Sequence, residues 1–312
     1  LGGVARRTSV LCNEYGSWIS YESDAHGFRN PPGLWGARAD VVLIGDSFTI
    51  GACVPDEAEI GERLRARLGT VVNLGMSGNG PLHGLATLRE YGPALRPRVV
   101  VWLLFENDLM AQDFGLELKM PLLKRYLEPG FQQGLIDRQP EIDAALDEHF
   151  DRLSKNPSGT SPAQRALVDA SDGSARASRV LRLRGLRSRW GRLRSSWRGT
   201  SDAPTDYVLF ERVLRRARDD VAGWGGELVF VSLPGIWSLG AGPDRNEAAR
   251  EVARGLGLTV VDAGPWIRDA PEPLDFFAFP GVSRFMGSPH YSIEGYARVA
   301  DGIGDVVAPL LE

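Results

Sequence analysis

Val41-Val42-Leu43-Ile44-Gly45-Asp46-Ser47-Phe48-Thr49-Ile50-Gly51 is an unbroken aliphatic run that ends on glycine, aspartate and serine. Branched aliphatic residues without polar alternation read as a strand buried on both faces, the kind that parallel sheets contain. Similar runs occur at 71–74, 99–105, 228–233 and 260–261, so five strands are expected. Helical patterns lie between and after them, at 56–68, 81–91, 205–222, 245–256 and from 292 onward. Strand alternating with helix implies right-handed crossovers and an α/β fold, a parallel sheet with helices on both faces. Ligands bind such sheets beyond the carboxyl ends of the strands, so the residues just after each strand are the candidates for chemistry.

Four blocks stand at those positions. Ser47 follows the first strand in a Gly-Asp-Ser turn, where a helix entrance would expose its hydroxyl and aim its N–H at a developing oxyanion. A helix N-cap also favours serine, and position alone does not separate the two readings. The second block, Asn73-Leu74-Gly75-Met76-Ser77-Gly78-Asn79-Gly80, is glycine-dense. Its G-x-x-G-x-G order is not the G-x-G-x-x-G that meets a pyrophosphate, so Gly78 reads better as an oxyanion N–H than as part of a nucleotide site. The third, Phe105-Glu106-Asn107-Asp108, offers the Asn107 amide, whose bland counterpart is a turn or cap. The fourth places His290 in Ser288-Pro289-His290-Tyr291-Ser292, just before a helix; it is one of 4 histidines. Serine, imidazole and two kinds of N–H donor at separate strand ends make a nucleophilic acyl-transfer site. No cofactor is called for. A metal-dependent phosphoesterase built on Asp46, Asp108 and His290 lacks a dense ligand cluster.

Whole-chain properties narrow the class. The 312 residues suffice for a large core, and a hydrophobic share of 43% argues for folding rather than disorder. A formal net charge of -4 argues against a nucleic-acid partner. The 2 cysteines, Cys12 and Cys53, exclude a cysteine-rich scaffold; they could form one bridge or remain separate buried thiols. No apolar run approaches the ~20 residues of a transmembrane helix, so the chain as given reads as soluble. It begins at Leu1 rather than Met, which is compatible with a targeting segment or anchor upstream.

The strand–helix alternation fails at about 110–204, read as a mainly helical insertion in an α/β domain at 39–312, with 1–38 as an N-terminal extension packing on that core. Within the insertion, the stretch from Arg176 to Arg198 has many arginines and no acid, with Val180, Leu183, Leu186, Trp190, Leu193 and Trp197 at helical spacing. Such a basic amphipathic helix suits an anionic membrane surface or an acidic polymer, and equally docking onto the sheet domain with its arginines in water.

At these four blocks the chain resembles the SGNH/GDSL hydrolase superfamily, named for its Ser, Gly, Asn and His. The resemblance implies a flavodoxin-like parallel sheet, Ser47 as nucleophile, His290 as base, and Ser47, Gly78 and Asn107 as oxyanion donors. That family usually places an aspartate three residues before its histidine; here Gly287 stands there, and either Asp275, brought under the imidazole by a longer loop, or a Ser-His dyad helped by a backbone carbonyl is expected in its place. The other departure is Glu106, where glycine is usual; its carboxylate should point away from the oxyanion. His26-Gly27-Phe28-Arg29-Asn30-Pro31 and Leu85-Ala86-Thr87-Leu88-Arg89-Glu90-Tyr91 resemble bacterial members associated with exopolysaccharide or envelope modification. The resemblance implies an extracytoplasmic domain, periplasmic or membrane-anchored, acting on acyl esters of a carbohydrate or on small esters. O-acetyl transfer at the same site and a non-catalytic polysaccharide-binding or assembly role are the alternatives.

Overall fold

The computed structural model describes residues 1–110, 113–155, 205–239, 244–278 and 289–312. A short antiparallel hairpin, β1 (Thr8–Val10) and β2 (Ser20–Glu22), precedes the main sheet. That sheet comprises β3 (Val41–Ile44), β4 (Val71–Asn73), β5 (Val99–Leu104), β6 (Glu227–Ser232) and β7 (Thr259–Asp262). All four pairings are parallel and the order is β4-β3-β5-β6-β7. Counted among themselves the strands run 2-1-3-4-5, the flavodoxin-like order, whose switch point lies between the first and third. Ser47 follows the first.

Alternation along each strand divides the core in two. Val42, Ile44, Val100, Trp102 and Phe230 face one layer, with α2 (Pro81–Leu95), α6 (Tyr207–Gly223) and α7 (Glu247–Gly255). Val41, Leu43, Val101, Leu103 and Val231 face the other, with α1 (Ile60–Leu68), α8 (Gly264–Arg268) and α9 (Ile293–Val307). Because both faces are covered, the strand sequences carry no polar alternation.

One boundary differs from the sequence reading, the start of the insertion. Residues 1–143 and 205–312 form one compact unit and 144–204 a second. The first third of the expected insertion therefore belongs to the main unit: α3 (Phe114–Glu117) and α4 (Pro121–Lys124) lie against α2, and Phe114, Leu123 and Tyr126 enter its core. These apolar residues are too scattered among polar ones to give a periodic signal. Of the second unit only the part of α5 (Gln139–Lys155) beyond residue 143 is described, and the basic stretch 176–198 lies outside the described residues. Among the described residues, no helix is long and apolar enough to cross a membrane.

The N-terminal segment is built into the core. Phe28 is fully buried against Tyr91. Asp24 accepts hydrogen bonds from the Phe28 N–H, the Asn30 amide and the Trp35 indole. Arg29, itself buried, donates to the Gly51 and Val54 carbonyls and pairs with Asp56. Asn30 bonds to both the N–H and the carbonyl of Asn73 at the end of β4. Residues 24–30 thus clamp the loop that follows Ser47.

Glycine at 45 is dictated by space: a Cβ there would lie 2.1 Å from Thr49 Oγ1 and 2.7 Å from the Leu103 carbonyl oxygen. Gly45→Ala should therefore lower the unfolding free energy by about 1–3 kcal/mol, the usual penalty of overpacking, as read from denaturant midpoints.

Candidate active site

Ser47 lies in a run of turns rather than at a helix entrance, contrary to the sequence expectation. The turn closes through Ile50 N–H to the Asp46 carbonyl and Ala52 N–H to the Ser47 carbonyl, but positive φ angles at Gly51 (73°) and Cys53 (66°) stop it from propagating. The Asp46 carboxylate accepts the Phe48 N–H at 2.8 Å, an Asx turn that fixes the backbone on both sides of the serine. Ser47 itself is only partly buried.

His290 reaches Ser47 from the opposite end of the sequence. Its Nε2 lies 3.0 Å from Ser47 Oγ. Ser292 caps α9 by accepting the Gly295 N–H, which sets where His290 leaves the helix. Tyr291 donates to the Pro234 carbonyl and Tyr296 to the Ala52 carbonyl, locking this corner to the β6 and Ser47 loops. The Phe48 ring, stacked on Phe105, lies 5.0 Å from the imidazole.

The carboxylate that meets His290 is Glu14, a correction to the expectation that Asp275 would do so. Glu14 Oε1 lies 2.9 Å from His290 Nδ1, and Oε2 accepts the His290 backbone N–H at 3.1 Å. Asp275 lies close in the chain path, because Ala278 N–H donates to the His290 carbonyl and Ser292 N–H to that of Phe276. Its side chain, however, is exposed to solvent. Gly287 lies outside the described residues. Glu14 sits at the tip of the hairpin, which continues past β1 and β2 through Leu11 N–H to Ile19 O and Ile19 N–H to Cys12 O. Cys12 and Cys53 are joined in a disulfide with Cα atoms 5.3 Å apart. Glu14 escaped the sequence reading because no local motif marks it. The available signal was the cysteine pair, which links a residue two before Glu14 to one six after Ser47.

Donor atoms of Glu14, Cys53 and His290 lie within 4.8 Å of one another. The Cys53 sulfur is bound in the disulfide, which leaves two free ligands, fewer than a metal centre uses.

Gly78 and Asn107 stand on the loops after β4 and β5, the two strands that neighbour β3. Gly78 occupies the left-handed region (φ 80°) in an exposed turn closed by Asn79 N–H to the Met76 carbonyl. Asn107 Nδ2 donates to Asp113 at 2.6 Å, so one amide hydrogen is held and the direction of the other is set by it. Glu117, buried on α3, accepts the N–H groups of Gly80 and Leu82 and so fixes the entrance to α2 just after Gly78. Glu106 turns its carboxylate onto the Gly235 N–H at 2.6 Å, in the loop after β6.

Two further acids lie beneath the serine. Asp46 and Asp108 are both buried and both shifted toward the protonated form, Asp46 by burial and Asp108 by burial and then the Asp46 charge. Asp108 accepts the Phe105 N–H, and its side chain is hydrogen-bonded to that of Asp46.

The fold and site can be set beside known proteins. No family model matches the chain and no curated protein matches it. Among solved structures it is similar to a lipase/acylhydrolase from Enterococcus faecalis at 14% identity and TM-score 0.46, covering 87% of this chain and 96% of that one. It is similar also to an alpha/beta hydrolase enzyme from the metagenome of Lake Arreo, Spain, at 16% identity and TM-score 0.45, covering 90% and 100%. A catalytic mutant of an acetylxylan esterase from Geobacillus stearothermophilus aligns at 14% identity and TM-score 0.43, covering 88% and 96%.

Burial, the largest cause, pushes the Asp113 carboxyl up to about 6 despite the hydrogen bond from Asn107, which acts the other way. A carboxyl whose pKa is raised on folding binds its proton more tightly in the native state, so its contribution to stability is lost as pH rises from about 4 through about 6. Asp113→Asn should remove that loss: denaturant midpoints at acid and neutral pH should show the wild type falling relative to the variant as pH rises.

Proposed function

We propose that this protein is a serine esterase that removes acyl groups, most simply O-acetyl groups, from a carbohydrate or polysaccharide. One observation carries the reading: Ser47 Oγ, His290 and Glu14 form a continuous relay, with contacts of 3.0 and 2.9 Å, at the switch point of a parallel α/β sheet. In the proposed reaction His290 Nε2 takes the Ser47 proton as Oγ attacks the ester carbonyl carbon. The negative oxygen that forms is held by the N–H groups of Ser47 and Gly78 and the Asn107 amide. Collapse expels the sugar oxygen, which leaves as a hydroxyl with the proton from His290. Water, deprotonated in turn by His290, then releases the acyl group as a carboxylic acid and frees Ser47. A sugar hydroxyl in place of that water would make the same site an O-acetyltransferase.

The carbohydrate part of the proposal rests on the motif resemblance around His26 and Leu85. Gly287, Glu106 and the basic 176–198 stretch suggest a binding-only role; the 176–198 stretch lies outside the described residues, but Glu14 offers the carboxylate that Gly287 lacks and Glu106 is engaged with Gly235, which favours an enzyme. The disulfide supports an oxidising compartment outside the cytoplasm, where contact of the 176–198 stretch with an anionic membrane surface or acidic polymer would also belong.

Single-turnover release of nitrophenol from para-nitrophenyl acetate, with protein mass followed in parallel, tests the proposal. A burst with an added acetyl group, both absent in Ser47→Ala, is expected; no adduct with this ester or an acetylated glycan would overturn it. Added sugar acceptors separate transfer from hydrolysis. Asn107→Ala should lower kcat by at least ~100-fold. Glu14→Gln should lower it by on the order of 100-fold to 10,000-fold, as loss of a triad carboxylate does, while Asp275→Asn leaves it unchanged.

A further inference from the structure

We infer that the Cys12–Cys53 disulfide is a positioning element of the catalytic site, a covalent tether that holds Glu14 on His290 so that full activity requires the bond intact. The inference rests on the esterase reading above.

The hairpin that carries Glu14 has little else to hold its tip. β1 and β2 are three residues each and largely exposed, and a two-stranded hairpin of that size is marginal alone. Asn13, Tyr15, Gly16, Ser17 and Trp18 are exposed; Trp18 retains 70% of its accessible surface. The apolar contacts near the tip form a small cluster of Tyr21, Ile50, Ala52 and Cys53 with Leu11 and Cys12 at its margin. The clamp of residues 24–30 fixes the far end of the hairpin, not its tip.

The bridge acts where that hold is weakest. Cys12 lies two residues before Glu14, and Cys53 belongs to the loop that begins at Ser47. The Cys53 sulfur lies 3.6 Å from His290 Nδ1, the nitrogen that Glu14 engages. The bond therefore joins the segment carrying the carboxylate to the segment carrying the nucleophile, directly beside the base. Without it, Glu14 must find His290 by diffusion of an exposed loop, and misplacement of a catalytic partner by about 1 Å can cost on the order of 100-fold.

A dithiol can remove the tether. One thiolate attacks a bridge sulfur, most openly that of partly buried Cys12, to give a mixed disulfide; its second thiolate closes the reductant into a cyclic disulfide. The protein gains two thiols and the reductant loses two electrons.

The experiment compares oxidised and dithiothreitol-reduced protein, as wild type and as Glu14→Gln, with thiols titrated and folding followed by circular dichroism. Reduction should lower wild-type kcat on para-nitrophenyl acetate by on the order of 100-fold with KM little changed, and reoxidation should restore it. The same reduction should leave Glu14→Gln nearly unaffected, because that variant has already lost what the tether positions; a merely structural bridge would slow both proteins alike. Unchanged kcat with two titrated thiols would overturn the inference, as would equal loss in both proteins. The hydrogen-bonded Nδ1 proton of His290, read by NMR, is independent of turnover: its loss on reduction supports the tether and its persistence overturns it. Absence of turnover in the oxidised wild type would instead count against the esterase proposal.

Discussion

The contact between the Glu14 carboxylate and His290 Nδ1 is the one on which the site depends. An imidazole that takes a proton on Nε2 becomes a cation, and a fixed anion on the other nitrogen both holds the ring and stabilises that charge. Joining residues 276 positions apart requires the N-terminal hairpin to reach the carboxyl edge of the sheet. Much else in the structure serves that placement: Arg29 and Asn30 fasten the hairpin's return to the Ser47 and β4 loops, Ser292 sets the departure of His290 from α9, and Tyr291 and Tyr296 hold that corner. The segment that sequence alone presents as an extension contributes a member of the relay.

A second constraint is electrostatic. Asp46, Asp108, Asp113, Glu106 and Glu14 all lie on the loops that carry Ser47, Asn107 and the carboxylate that meets His290, and the reaction proposed for Ser47 develops negative charge. The arrangement is workable because these carboxyl groups are engaged by other partners or shifted toward neutrality. Asp108 is shifted toward its neutral form by burial, Glu106 is turned to Gly235, and Asp46 accepts the Phe48 N–H and, at 3.3 Å, the Ser47 hydroxyl. Asp113 holds the Asn107 amide. Asp113 and Glu117 both come from the stretch that interrupts the strand–helix alternation, so that stretch braces the two loops beside the nucleophile.

The sheet was legible in sequence because its strands are buried on both faces, a condition that requires uninterrupted aliphatic runs; all five appear within a residue or two of the expected bounds. The strand end that carries Ser47 and the helix entrance that carries His290 were legible as well, and the fold brings the two side chains to 3.0 Å. Two features misled. The turn after Ser47 reads as a helix start, yet Gly51 and Cys53 adopt positive φ and end it. The 113–143 stretch reads as inserted, yet it contributes Phe114, Leu123 and Tyr126 to the core.

Local sequence thus determined the strand set, the order of layers and the residues at the active edge, because burial and backbone geometry impose their patterns over a few neighbouring positions. Tertiary structure alone decided which carboxylate completes the relay. Glu14 and Asp275 are equally plausible as bare acids, and the one nearby mark, Cys12 two residues before Glu14, has no meaning until its partner is known. The choice is made by a disulfide and a hairpin that bring one to 2.9 Å from His290 and leave the other in water, a matter of chain path that no local pattern encodes.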